Sequence, residues 1–540
     1  MSKRSRSADA PALGPLGMLR WAWTQLTKMN TALFLLLMLA VAAVPGSIFP
    51  QNVQDPAKVQ DYIRQHPTWG PIAENLQLFD VFSSVWFSAI YLLLFISLIG
   101  CVIPRAKKHL QEYRAKPPRT PKNLSRLPQH RVLTIPADSV AGGLDASQAV
   151  KQAQQMLAKR RYRTELRDAD PQNLSVAAER GLLREAGNLL FHLSMIGVLI
   201  GMALGSLFGY SGQKIVLMNE SFVNTLVSYD SFNPGTNFNP DWMNHFSVTL
   251  DSFDVDFDRQ QGSPTYAQPL DFTAKVTVQE DPGKEPHQET LKVNDPLTVE
   301  GNRIYLAGNG YAPIVKVTDG QGNLAYEGPV VTLASDANYT SSVVLKVPDA
   351  APSQLAFVGM FLPTGVIEEG KAPYSADPTL AHPTLVLSAY AGDLGLDDGT
   401  PQNVYVVDTQ GLEELNSMRS ENGGIVLTLE DPVYHLPEDK GTIEFTGVTR
   451  YVGLDIHYDP GKPVVLISFL LAFTGLVISL FVARRRAWVK VREETAADGE
   501  RQVVVEYGLL ARGEDPRLAL EADRLTELFA QRWGLEFTEA

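Results

Sequence analysis

The chain has 540 residues, 45% of them hydrophobic, a single cysteine and a formal charge of −13. That length points to several domains, and the lone Cys101 excludes internal disulfides and dithiol exchange by this chain alone. The charge is uneven: Tyr210–Lys462 holds 13 Lys and Arg against 35 Asp and Glu, while the flanking segments are net basic. No basic stripe with interleaved aromatics occurs in the acidic part, which argues against nucleic acid as a partner.

In chain order, residues 1–30 form a leader carrying Lys3, Arg4, Arg6, Arg20 and Lys28 ahead of an apolar run at 31–49. A signal peptide has the same order of features, but the long leader with Trp21 and Trp23 favours an uncleaved span. In the loop 50–80, Pro56–Gln65 reads as one short amphipathic helix at the outer surface. A second span, 81–103, ends at Pro104-Arg105-Ala106-Lys107-Lys108. Residues 104–186 read as a small α+β segment, with a helical stripe of Val150, Ala153, Met156 and Leu157 and strands near Tyr162–Leu166 and Leu174–Ala178.

The third span, 187–209, is long enough to cross a bilayer, which takes about 20 apolar residues. Gly197, Gly201, Gly205 and Gly209 recur every fourth residue and draw a ridge without side chains, suited to close helix packing. His192 points away from that ridge, about 7 Å inside the span edge. An ionisable group inside a span is a functional candidate; an interfacial ring reaching the headgroups is the bland alternative of equal weight.

Residues 210–462 read as β-rich, with alternation at Phe246–Leu250, Phe253–Phe257 and Phe272–Val278 and turn signals at Asp281-Pro282-Gly283, Asp319–Asn323 and Asn422-Gly423-Gly424. An antiparallel sandwich or barrel-like architecture is the expected class. The fourth span, 463–483, stops at Arg484-Arg485-Arg486. In the tail, 484–540, Ala497-Asp498-Gly499-Glu500 reads as a hairpin turn, and Leu518–Trp533 as a helix. Short basic flanks prefer the cytoplasm. All four spans then agree on cytoplasmic termini and a large extracytoplasmic domain in the plasma membrane.

No Walker loop, dinucleotide fingerprint, HExxH or CxxC occurs. His245, His287, His382, His435 and His457 lack the short spacings of a metal site. Glu368-Glu369, Asp397-Asp398 and Glu438-Asp439 read as solvated turns rather than carboxylate dyads.

Several stretches taken together resemble the ResB (CcsB) family of system II cytochrome c biogenesis proteins. They are Gly46-Ser47-Ile48-Phe49-Pro50-Gln51, Phe79–Phe87, Ser97–Arg105, Phe191-His192-Leu193-Ser194, Phe208-Gly209-Tyr210, Val293–Leu297, Gly301–Tyr305 and Asp459-Pro460-Gly461. The resemblance runs from about Trp21 to about Arg485 and leaves out the tail after Arg486. It implies a non-catalytic half of a haem-attachment complex, paired with a CcsA/ResC-type membrane protein that carries the external histidines. The cargo is haem b, moved across the membrane and joined to apocytochrome c; proteins of a thiol-reducing pathway are further implied partners. The family's axial haem ligand, the only metal contact implied, corresponds to His192. Phe82, Trp86, Phe87 and Phe191 are candidates to pack on the macrocycle. No other histidine lies within a span, so a second iron ligand is expected from another chain. The competing reading is a scaffold that stabilises the partner or docks apocytochrome c, with His192 structural.

Overall fold

The structure is a computed structural model and describes residues 14–54, 56–136, 144–167, 174–281, 283–368, 370–396, 405–417, 424–495 and 501–535. It divides into two compact units, residues 1–202 with 462–540, and residues 203–461. Nine α-helices are described: α1 Pro15–Leu26, α2 Met29–Ile48, α3 Pro56–Gln65, α4 Gly70–Asn75, α5 Val85–Arg114, α6 Ala146–Lys159, α7 Leu183–Phe208, α8 Lys462–Phe481 and α9 Leu518–Trp533.

Four of these, α2, α5, α7 and α8, are long and apolar enough to cross a membrane. Their outward faces are apolar, as a lipid solvent demands, and their contacts with one another use small residues. In α8 the buried positions are Ser468, Ala472 and Gly475, and in α7 they are Gly187, Ser194 and Gly201. A methyl group on Gly475 would lie 2.7 Å from the Gly187 carbonyl oxygen and 2.7 Å from the Phe191 nitrogen. A methyl group on Gly197 would strike Ser468. The two backbones therefore meet directly, which apolar lipid cannot drive but close packing can. α3 forms where expected, with Val59 in a small core with Ala73 and Phe79.

The first unit also contains a five-stranded antiparallel sheet. Its spatial order is Gln129–Pro136, Arg501–Ala511, Arg485–Thr495, Leu174–Arg180, Arg163–Arg167. The tail thus supplies two of the three inner strands of a sheet whose other strands come from the segment before α7. The 104–186 segment and the tail are one folded body rather than two. The strands flanking 497–500 pair as the hairpin reading requires; the turn itself lies outside the described residues. One sheet face is covered by α6, through Ala149, Val150, Ala153, Met156 and Leu157, and by α9, through Leu525, Phe529 and Trp533. The other buries Trp488 against Leu124 and Ala177. Asp145 caps α6 by accepting from the Gln148 N–H at 2.6 Å. Gly534, with φ +66°, ends α9 in the left-handed conformation glycine tolerates.

The second unit is β-rich and antiparallel in all its described sheets. Two strands of 18 residues, Asn302–Asp319 and Gly441–Tyr458, pair along their length. One end of this pair gives Val315, Val317, Ile443 and Phe445 to one core. The other end gives Ile304, Val452, Leu454 and Ile456 to a second core. Arg450 bridges them: its guanidinium lies 4.4 Å from the Tyr311 ring of the first core and 5.7 Å from the Phe253 ring of the second. The runs Phe246–Leu250 and Phe253–Phe257 belong mainly to one strand, Ser247–Phe257. A register shift between Leu250 and Ser252 moves the buried parity from Val248 and Leu250 to Phe253. The turn residues Pro282, Asn422 and Gly423, and the acidic residues Glu369, Asp397 and Asp398, lie outside the described residues.

At the sheet edge, Arg485 donates to Asp515 through Nε (2.7 Å) and Nη2 (3.2 Å). This hydrogen bond holds the Asp515 carboxyl below its ordinary 3.8. A depressed carboxylate adds stability above its unfolded-state pKa and loses it as the pH falls toward its folded one. Thermal unfolding of the full chain, followed by tryptophan fluorescence, should therefore lose stability as the pH drops below 3.8, and Asp515→Asn should flatten that slope.

Candidate functional site

Helix α5 continues through Pro104 to Arg114. The proline removes one backbone donor, but the side-chain period is kept. Val102, Arg105, Lys108, His109 and Glu112 consequently share one face at three- and four-residue spacing. Glu185, Asn188, Leu189 and His192 do the same on α7. With Arg512, these nine residues line a cavity of about 300 Å³.

His192 has a defined tautomer in this cavity. Its Nδ1 lies 2.8 Å from the Asn188 carbonyl oxygen, one helical turn back. A carbonyl only accepts, so Nδ1 is the donor, and in the neutral ring the lone pair then sits on Nε2. That is the state in which imidazole binds a metal, with the second nitrogen oriented by a backbone acceptor. The Phe191 ring meets the imidazole edge-on, with centroids 5.3 Å apart and planes at 89°. A second imidazole, His109, lines the same cavity, and its Nδ1 is buried with no hydrogen-bond partner.

The polar wall is an ion-pair network. Arg484, 3% exposed, lies 2.9 Å from Glu112, 3.3 Å from Glu185 and 3.6 Å from Glu179. Arg512 reaches Glu185 at 2.8 Å and Glu112 at 3.8 Å. The two carboxylates of the cavity are thus committed to arginines. Arg105 and Lys108 form no salt bridge among the described residues, and they leave the cavity with positive charge available to an anionic ligand.

Of the residues expected around His192, Phe191 alone is beside it. Trp86 and Phe87 lie in the first turn of α5, about 22 Å or more from Val102 along the helix axis, and Phe82 lies in the short turn just before it. There Phe87 packs edge-on against both Phe82 and Trp86, Phe82 covers Gly46, and Trp86 donates to the Leu76 carbonyl at 3.0 Å. The glycine ridge divides its contacts. Gly197 meets α8 and Gly201 is buried in α7, whereas Gly205 faces the Asp459 carboxylate and Gly209 the Tyr458 carbonyl. His457 lies in the second unit, 2.9 Å from Asp455 Oδ2 and edge-on to Tyr305.

His109, Arg105 and Lys108 were missed because Pro104 and the basic run after it read as a span terminus, and Arg512 because the tail reaches this place only through long-range strand pairing. The overlooked signal was the stripe from Val102 to Glu112, which keeps the helical period across the proline. His109 also removes the ground for requiring the second imidazole from another chain.

The geometry defines a class: a polytopic membrane protein with an imidazole lining a cavity at a junction between two spans. Over residues 29–523 the chain matches the ResB-like family, and it belongs to that family. The match extends 38 residues beyond Arg485 and takes in most of the tail that the sequence resemblance had left out. Three relatives are named cytochrome c biogenesis protein CcsB. That of Trichormus variabilis is 25% identical over 471 residues, 84% of this chain and 83% of its own. That of Gloeobacter violaceus is 25% identical over 480 residues, 87% and 85%. One from Prochlorococcus marinus is 26% identical over 484 residues, 86% and 89%.

Removing one member of a buried ion-pair network leaves its partners uncompensated. Arg484→Met should lower stability by about 3 kcal/mol or more, read by chemical denaturation of the full chain. Arg484→Lys should recover only part of the loss, because one ammonium cannot reproduce the fork among three carboxylates.

Proposed function

We propose that this chain is the non-catalytic membrane subunit of a cytochrome c biogenesis complex, and that it holds haem b as cargo on His192. The relatives' shared name supports the pathway, and the tautomer of His192 carries the ligand role. Nε2 faces a cavity that also offers a second imidazole and two cations, Arg105 and Lys108, that form no salt bridge among the described residues.

The residues present fit the cargo. Val102 and Leu189 give apolar contact. Arg105 and Lys108 match the two propionates of haem, and Nε2 matches its iron. At about 300 Å³ the cavity is at the small end for ligand sites. It takes part of a porphyrin and leaves the rest to a CcsA/ResC-type partner or to lipid, which suits a cargo that must be handed on. The basic segments beside the spans put both termini in the cytoplasm, so this cavity is the entry side. The acidic 210–461 region then faces outward, where its field attracts basic segments of apocytochrome c.

The chain co-expressed with its partner should carry haem by visible absorption, and His192→Ala should lose most of it. Added imidazole should restore the spectrum. Haem content unchanged in His192→Ala would favour the scaffold reading, in which the β-rich region docks apocytochrome without cargo. His109→Ala separates the two sources of the second ligand: a shift to high-spin haem assigns that position to His109, and an unchanged low-spin spectrum assigns it to the partner.

A further inference from the structure

A second cavity in the same unit, of about 720 Å³, is walled by the strand Arg163–Arg167, the end of the strand Leu174–Arg180, α9, and the residues where α7 begins and α8 ends. It has seven arginines and two glutamates among its lining residues and contains no histidine, cysteine or methionine. The glutamates do not neutralise it. Glu179 and Glu521 are each 3% exposed and sit beneath the surface. Glu179 is paired with Arg163 and Arg484, and Glu521 lies 3.1 Å from Arg485 and 3.6 Å from Arg160.

Three of the arginines, Arg161, Arg517 and Arg524, form no ion pair among the described residues. Arg161 stands just past the end of α6 with φ +62°, a left-handed position that glycine or asparagine ordinarily fills. Arg163 has a buried Nε without a hydrogen-bond partner. At its membrane end the cavity is apolar: Phe481 is 83% exposed and Leu183 is 66% exposed, both at span termini.

We infer that this cavity binds the headgroup of an anionic phospholipid. Arginine forks match phosphate oxygens two at a time, and a basic recess beside span ends is where a headgroup meets protein. The exposed Phe481 and Leu183 continue the site toward the acyl chains, which a free phosphate compound would leave uncovered. The lipid's charge satisfies arginines that otherwise repel one another, and its chains lie against the apolar ends of α7 and α8. The bound lipid ties the sheet to the ends of α7 and α8.

The test uses the full chain, stripped of lipid in neutral detergent, with native mass spectrometry and thermal unfolding as readouts. Phosphatidylglycerol should be retained and should raise the unfolding temperature, whereas phosphatidylcholine should do neither. The triple variant Arg161→Ser, Arg517→Ser, Arg524→Ser breaks no ion pair among the described residues and should weaken phosphatidylglycerol binding by roughly tenfold or more. Arg524→Glu alone, a single surface change, should weaken it in the same direction. Equal retention by wild type and both variants would overturn the assignment. So would stabilisation by inorganic phosphate matching that by phosphatidylglycerol, which would point to a soluble anion instead.

Discussion

The first unit turns on one guanidinium. Arg484 stands three residues past the end of α8 and immediately before the strand Arg485–Thr495. From that buried point it reaches Glu112 near the end of α5, Glu185 in the first turn of α7, and Glu179 in the strand Leu174–Arg180. Three spans and the sheet are therefore fixed to one another by charge-assisted contacts to one buried guanidinium, whose loss is costly. Two of the three carboxylates are also walls of the His192 cavity. The same network that joins the spans to the sheet shapes the place where an imidazole is left with a free Nε2.

Small residues do for the spans what the guanidinium does for the junction. Gly187 on Gly475, and Gly197 on Ser468, bring α7 and α8 to backbone contact. His192 lies on the remaining side of α7, toward α5, together with Glu185, Asn188 and Leu189. One face of α7 is thus committed to its neighbour, and the other lines a cavity with positive charge to spare. This division lets a four-span chain open an imidazole to a cavity without unwinding a helix. A histidine on a helix with large residues on both faces would have no such opening.

Much of this was legible in the sequence, and the failures have physical causes. The spans, α3, the stripe on α6, the β character of 210–461 and the candidate His192 follow from periodicity, length and charge asymmetry, all of which are local. The partnership of the tail with residues 129–180 does not, because strand pairing over more than three hundred residues leaves no local mark. Pro104 misled in another way: a proline followed by basic residues is the ordinary signature of a span end, yet the helix continues and brings His109 into the cavity. Phe82, Trp86 and Phe87 were grouped with His192 as aromatic residues of a span. Counting residues along α5 separates them, since Phe82 precedes that helix and Trp86 and Phe87 open it, while the cavity uses its last turns.

The central claim is that iron meets Nε2 of His192 at the junction of α5 and α7. The most direct measurement is a cryo-electron microscopy map of the full chain with its partner, purified with haem bound. The account predicts porphyrin density in the cavity lined by Val102, Arg105, Leu189 and His192, with iron against the His192 ring and propionates toward Arg105 and Lys108. Haem density elsewhere in the complex, with the His192 ring turned to lipid or packed against protein, would contradict it.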